Sequence, residues 1–255
     1  MPGNGHIKII MPQMGVFNKT ISLLVSFVNL VFLFFIHSVS AQKNSPVHIV
    51  GEMKDVMWKG ELFGKINTDT IRNKHHLFGF GPLAYLRGEV LILDGISYQS
   101  TVNDKQEIKV ERVHSVLAPF FAYANITNWH AIELPAPVRN LTDLENYLDS
   151  ISSDREMPFL FKLSGSIDSA NIHVVHLPEG SIVHSPEDAH QGIVHCRLNN
   201  SEVHIIGFYS RNHQTIFTHH DTNMHLHLIT FDLKMMGHLE SVSFNPQRIK
   251  FFIQP

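Results

Sequence analysis

The chain has one cysteine, Cys196, in 255 residues, so no intramolecular disulfide can form and stability has to come from a buried core. It has no Gly-rich phosphate loop, no Ser- or Cys-nucleophile motif, and no basic patch with interleaved aromatics. Those absences argue against phosphate-loop chemistry, acyl-enzyme hydrolysis and nucleic-acid binding. The charge balance agrees on the last point: 20 Lys and Arg against 23 Asp and Glu leave a net charge of -3, which gives nucleic acid no electrostatic attraction. Internal repeats are absent, and so is low-complexity sequence beyond the N-terminal segment. Cys196 reads as a buried small residue rather than a metal ligand.

The chain is richer in other things. Hydrophobic residues make up 44% of it, an ordinary globular balance and long enough to bury a real core. Histidine is in excess: there are 19, and twelve of them fall between His173 and His238. Histidine is the commonest metal ligand and the side chain that titrates nearest neutral pH.

The N-terminal segment stands apart. Lys19 precedes an uncharged, mostly apolar run from Ile21 to Ile36, followed by SVSA and then polar QKNSP. Val39 and Ala41 occupy the positions a signal peptidase reads, which predicts a signal peptide over 1–41 with cleavage after Ala41. The rival reading is an uncleaved single-span anchor, for which the run is near the lower length limit. The expectation is a secreted or periplasmic protein that has no membrane attachment once the signal is removed.

The rest predicts an α+β protein, two β-rich lobes with mixed or antiparallel sheets and few helices, divided as 42–155 and 156–255. GEVLILDGISYQS (88–100) is a strand–turn–strand signal with Asp-Gly at the turn. HIVGEM, QEIKVERV and FFAYANITNWHAIEL read as further strands. NLTDLENYLDSISS (140–153) is the best helix, with Leu141, Leu144, Leu148 and Ile151 at helical spacing and Asn140 or Thr142 as cap. The second lobe is expected to contain FLFKLSGSIDSANIHVV, GIVHCRLN, EVHIIGFYS, TIFTHH, HLHLITFDL and LESVSFN as strands.

In NMHLHLI (223–229), alternate side chains of an extended strand share a face, so His225 and His227 project together while Leu226 and Leu228 face the core. A turn around KMMG would bring His238 back beside them. Three imidazoles with an open fourth position form the ligand set of a catalytic zinc site, although histidine count leaves copper, iron, nickel or manganese open. His219 and His220 in THHDTN compete for the same role. The alternative is a strand that merely carries exposed histidines.

NMHLHLI followed by MGH resembles the acetolactate decarboxylase family, whose members carry an HxH strand and, about ten residues later, GGH. LFGFGPLAYLRGEVLILDGISYQS (77–100), FLFKLSGSIDSANIHVV and GFYS (207–210) resemble further family segments, collinearly over roughly residues 50 to 245. The resemblance implies metal ligands at His225, His227 and His238, an active-site carboxyl at Glu89, one zinc or another divalent transition metal, and a homodimer. It also implies decarboxylation of the small molecule 2-acetolactate to acetoin. Two positions depart from the family. Its substrate-binding arginine falls, by count from Gly165, on His173, and its C-terminal acidic residue has no evident counterpart in KFFIQP. Glu240 lies closer to the metal motif than that role would lead one to expect.

Loss of carbon dioxide leaves an electron pair that needs a sink, which a metal-polarised carbonyl supplies. A carboxylic acid, Glu89, would return a proton to carbon, helped by a pocket that raises its pKa. A protonated His173, or Arg197 or Arg211 from other strands, would hold the substrate carboxylate. Three other functions compete: a related metalloenzyme on another small hydroxy- or keto-acid, a cupin-like metal oxygenase with Asp232 near its carboxylate position, and a secreted metal-binding protein without catalysis.

Overall fold

The computed structural model describes residues 47–255 and, before them, Gly3 alone; the expected signal peptide lies outside the described residues. Two six-stranded sheets account for most of the fold. The first contains β1 (His48–Val50), β3 (Leu77–Pro82), β4 (Glu89–Leu93), β5 (Ile96–Val102), β6 (Ile108–Val113) and β8 (Phe121–Asn125), in the order β1-β8-β3-β4-β5-β6. A small ribbon of β2 (Ile66–Asn67) and β7 (Leu117–Ala118) stands beside it. The Asp-Gly signal forms the expected hairpin between β4 and β5. Asp94 and Gly95 both have positive φ, 50° and 83°, the conformation that matches the strand twist in a two-residue hairpin loop.

The second sheet contains β9 (His130–Ile132), β10 (Phe159–Val174), β11 (Val194–Tyr209), β12 (Met224–Thr230), β13 (Met236–Ser243) and β14 (Ile249–Ile253). β10 pairs with β11 along its length, with β14 through Phe161–Gly165 and with β13 through Ser169–His173. β12 joins β11 to β13, so β10, β11, β12 and β13 form a closed ring of antiparallel pairs. The change from first to second sheet falls between Asn125 and His130, within one compact unit spanning Asn44–Pro255.

Among the described residues three α-helices accompany the sheets: α1 (Met53–Lys59), α2 (Leu141–Ile151) and the single turn α3 (Pro186–Ala189). α2 starts where its cap requires, with the Asn140 side chain accepting the Asp143 N–H at 2.9 Å. It buries Leu144 and Leu148 against one face of the second sheet, among Phe161, Leu163, Leu226 and Leu228. The opposite face carries Leu160, Ile206, Phe208, Ile229 and Met236 against Phe78, Phe80, Leu91 and Tyr98 of the first sheet. Each such side chain contributes roughly 1.5–3 kcal/mol on burial, which makes this interface the joint between the sheets.

The structure corrects several expectations. GIVHCRLN and EVHIIGFYS form a single strand, β11, because Asn200 takes a left-handed φ of 47° within it instead of reversing the chain. TIFTHH is no strand. The His213 carbonyl accepts the N–H groups of Ile216, Phe217 and Thr218, which curls the segment into a turn. IKFFI, absent from the expected strands, is β14. Cys196 is only partly buried.

Gly237, the residue before His238, lies hard against β10: a Cβ there would sit 2.4 Å from the His173 carbonyl oxygen. Backbone would have to move to admit it. Gly237→Ala is therefore expected to cost about 1–3 kcal/mol, measured as a lower urea midpoint at unchanged m-value.

Candidate active site

The β12 alternation behaves as its sequence predicts. Leu226 and Leu228 enter the core under α2, and His225 and His227 turn the other way, toward the first sheet. Phe80 on β3 covers them, stacked on His227 with ring centroids 4.4 Å apart and edge-on to His225 at 4.8 Å. The hairpin returns His238 directly opposite His227. His225 and His227 are buried and His238 is partly so.

The ring nitrogens are arranged for a shared cation. His225 Nδ1 lies 2.5 Å from the Phe217 carbonyl, to which it donates, so its Nε2 carries the lone pair. That Nε2 is 3.1 Å from His238 Nδ1. The Nδ1 of His227 is buried without a hydrogen-bond partner. One nitrogen from each of the three rings lies within 4.8 Å of the others. Ligands on a tetrahedral zinc about 2.0–2.1 Å away stand about 3.4 Å apart, so the His225–His238 spacing fits such an ion. Burial is the main reason each ring stays neutral and competent as a ligand. It pushes His225 down to about 3, with the charge of His219 adding to the effect. His227 and His238 are likewise held well below the ordinary histidine value, by burial first and by neighbouring histidines second.

Glu89, the first residue of β4, meets this group from the opposing sheet. Only 3% exposed, it places Oε2 3.8 Å from His227 Nε2 and accepts the Val175 N–H at 3.3 Å. Burial raises its pKa well above the ordinary carboxyl value, and the Val175 hydrogen bond opposes that shift. A cavity of about 30 Å³, room for a water or one ion, is lined by Glu89, the three histidines and also His173, His190 and His219. An adjoining cavity of about 270 Å³ shares Met53, Met57, His190 and His219 with it.

His173 is therefore brought to the site. Its ring stacks on His238 with centroids 4.6 Å apart, and its Nδ1 lies 2.8 Å from Glu240 Oε1. Arg197 and Arg211 are not: Arg211 binds Asp149 at 2.7 Å, Arg197 is exposed, and neither lines the small cavity. His219 lines it and His220 is exposed. Sequence reasoning missed His190, Phe80 and the Glu240 contact with His173. For Glu240 a signal existed, since it follows His238 at alternate spacing on the same strand.

Neutral buried histidines make stability depend on pH with a definite sign. Unfolded, each takes a proton as pH falls through about 6.5; folded, each resists, and for His225 the difference extends down to about 3. Glu89 acts oppositely, holding a proton in the folded state above pH 4.5 that the unfolded chain releases. Three histidines outweigh one carboxyl. Chelator-treated protein should lose stability between pH 7 and pH 5, by about 1.4 kcal/mol per pH unit for each net proton. Urea midpoints at the two pH values check this.

The alpha-acetolactate decarboxylase family model matches residues 50–254. No curated protein matches the chain. Among solved structures, alpha-acetolactate decarboxylase from Bacillus subtilis strain 168 superposes with a TM-score of 0.67 at 20% identity, over 82% of this chain and 84% of that one. The enzyme from Bacillus subtilis subspecies spizizenii gives 0.65 at 19%, over 82% and 85%. A Staphylococcus aureus protein of unknown function, similar to alpha-acetolactate decarboxylase, gives 0.65 at 15%, over 82% and 84%. These likenesses show the shared fold.

Proposed function

Since the chain belongs to the alpha-acetolactate decarboxylase family, we propose that it converts 2-acetolactate to acetoin and carbon dioxide, using one zinc ion held by His225, His227 and His238. The observation that carries this reading is the convergence of three imidazoles and one buried carboxyl on a single cavity. The ion, when bound, supplies Lewis-acid polarisation of the substrate's ketone oxygen.

The chain's own residues supply the rest. The bond to the carboxylate breaks, its electron pair passes toward the neighbouring ketone, and the carbon left behind needs one proton. Glu89 keeps a proton because it is buried, and it faces the histidine group from the opposing sheet. His173, braced by Glu240, receives the substrate carboxylate. Phe80 and Phe120 exclude water around the histidines. A cavity of about 30 Å³ is too small for a five-carbon acid, whereas a neighbouring cavity of about 390 Å³ is also lined by His219, His225, His238 and Glu240 and offers the substrate room beside the histidines.

The test is acetoin production from racemic acetolactate by the chain starting at Gln42, with metal content measured on the same sample. The expected result is turnover with one tightly held ion, both lost in a His225→Ala, His227→Ala variant. Glu89→Gln should keep the ion and lose about 10²-fold or more in kcat. A tightly held ion without acetoin would move the reading to another small hydroxy- or keto-acid, an alternative supported by the absence of a guanidinium from the cavity lining.

We further propose export with cleavage after Ala41 and assembly as a homodimer. The expected outcomes are an N-terminus at Gln42 in the exported product and a solution mass of two chains by light scattering. A retained N-terminal segment or a single-chain mass would overturn the corresponding part.

A further inference from the structure

The sheet register lines up more histidines than the buried triad uses. His227 on β12 stands opposite His238 on β13, His238 opposite His173 on β10, and His173 opposite His195 on β11. Cross-strand partners share a face, so four imidazoles form one row across the ring of strands. Centroid separations along the row are 5.6, 4.6 and 5.9 Å. The row begins in the buried cavity and ends at the surface, where the His195 side chain is 63% exposed.

Glu240 closes the outer end. β10 and β13 shift register between Asn171 and Ile172: Ile172 pairs with Leu239 and Asn171 with Ser241, which leaves Glu240 as the extra residue of a bulge. Its carboxylate sits between the two outer rings, with Oε1 2.8 Å from His173 Nδ1 and His195 Nδ1 at 3.2 Å. No lysine or arginine among the described residues forms an ion pair with it. One ligand atom from each of His173, His195 and Glu240 lies within 4.8 Å of the others.

We propose that His173, His195 and Glu240 form a second metal site, for a divalent first-row transition ion, at the solvent end of the histidine row. Two imidazoles and a carboxylate are a donor set for such ions, and the Glu240 carboxylate already lies 2.8 Å from His173 Nδ1 and 3.2 Å from His195 Nδ1, with all three ligand atoms within 4.8 Å of one another. Three neighbouring strands supply the donors, so the backbone ladder fixes their spacing before any ion arrives. With three protein ligands and an exposed rim, the site keeps coordination positions open to water and binds more weakly than the buried triad. The proposal rests on the chain's own residues and needs no particular substrate for the buried centre.

Zinc titration by calorimetry, with equilibrium dialysis for stoichiometry, tests it on the chain starting at Gln42. The expected result is two ions per chain, one tight and one weaker. His195→Ala and, separately, Glu240→Gln should weaken the second ion at least tenfold and keep the first. The His225→Ala, His227→Ala variant should do the reverse. His195 is the most exposed of the three donors, so its variant tests the site with little risk to folding, which far-UV circular dichroism verifies. One ion per wild-type chain would overturn the proposal, and so would two ions retained unchanged in His195→Ala and Glu240→Gln. Acetoin production is not the readout, so either result stands apart from that of the decarboxylation assay.

Discussion

The pairing of β10 constrains everything around it. Its first half is flanked by β11 and β14, its second half by β11 and β13, so the chain from β11 through β12 to β13 must come back onto the strand it left. Side chains alternate with a period of two, so a one-residue slip anywhere in that circuit would turn its residues to the other face. In the observed register, Leu226, Leu228 and Leu239 pack under α2 while His227, His238 and His173 come level on the opposite side. Packing of the leucines thereby fixes the imidazoles. The small residues Gly207 and Gly237 permit this: the Phe161 ring lies across Gly207, and the His173 carbonyl closes on Gly237.

How much of this was legible in the sequence depended on whether the deciding contact was local. The hairpin at Asp94–Gly95 and the Asn140 cap involve residues within a few positions of each other, and both formed as read. The HLH alternation needed only a strand and a buried neighbour on the leucine side. Where a long-range ladder decided, the reading failed. Asn199–Asn200 looks like the end of a strand, yet pairing with β10 on both sides of it holds β11 together for 16 residues. IKFFI is not among the expected strands, and it is one through pairing with β10 and β9. TIFTHH has strand composition, but the His213 carbonyl gathers its N–H groups, and the resulting turn places the Phe217 carbonyl that orients His225.

The cluster of His173, His195 and Glu240 illustrates the same limit. Nothing in the spacing of positions 173, 195 and 240 marks them as neighbours, since their adjacency comes from strand order and one bulge. His173 was singled out only because a family arginine was expected there, and the structure gives it two contacts that no arginine count could supply: the His238 ring and the Glu240 carboxylate.

The electrostatics of the inner cavity follow from its burial. Its lining has no lysine or arginine, its three central histidines are kept neutral by burial, and Glu89 is pushed toward its protonated form for the same reason. A buried polar atom without a partner, such as His227 Nδ1, costs about 1–3 kcal/mol. The arrangement is therefore under-stabilised as it stands and gains from any ligand that engages these nitrogens in the folded state alone. Neutral ligands leave the charge of a divalent ion uncompensated, and in a low-dielectric pocket that charge attracts an anion strongly. A small carboxylic acid would then meet a positive centre even where the cavity offers no guanidinium. Under the proposed reaction, a family arginine and an uncompensated ion would be partly interchangeable sources of attraction, whereas a protonated Glu89 would have no substitute, because an ionised carboxylate there would repel the substrate and have no proton to give.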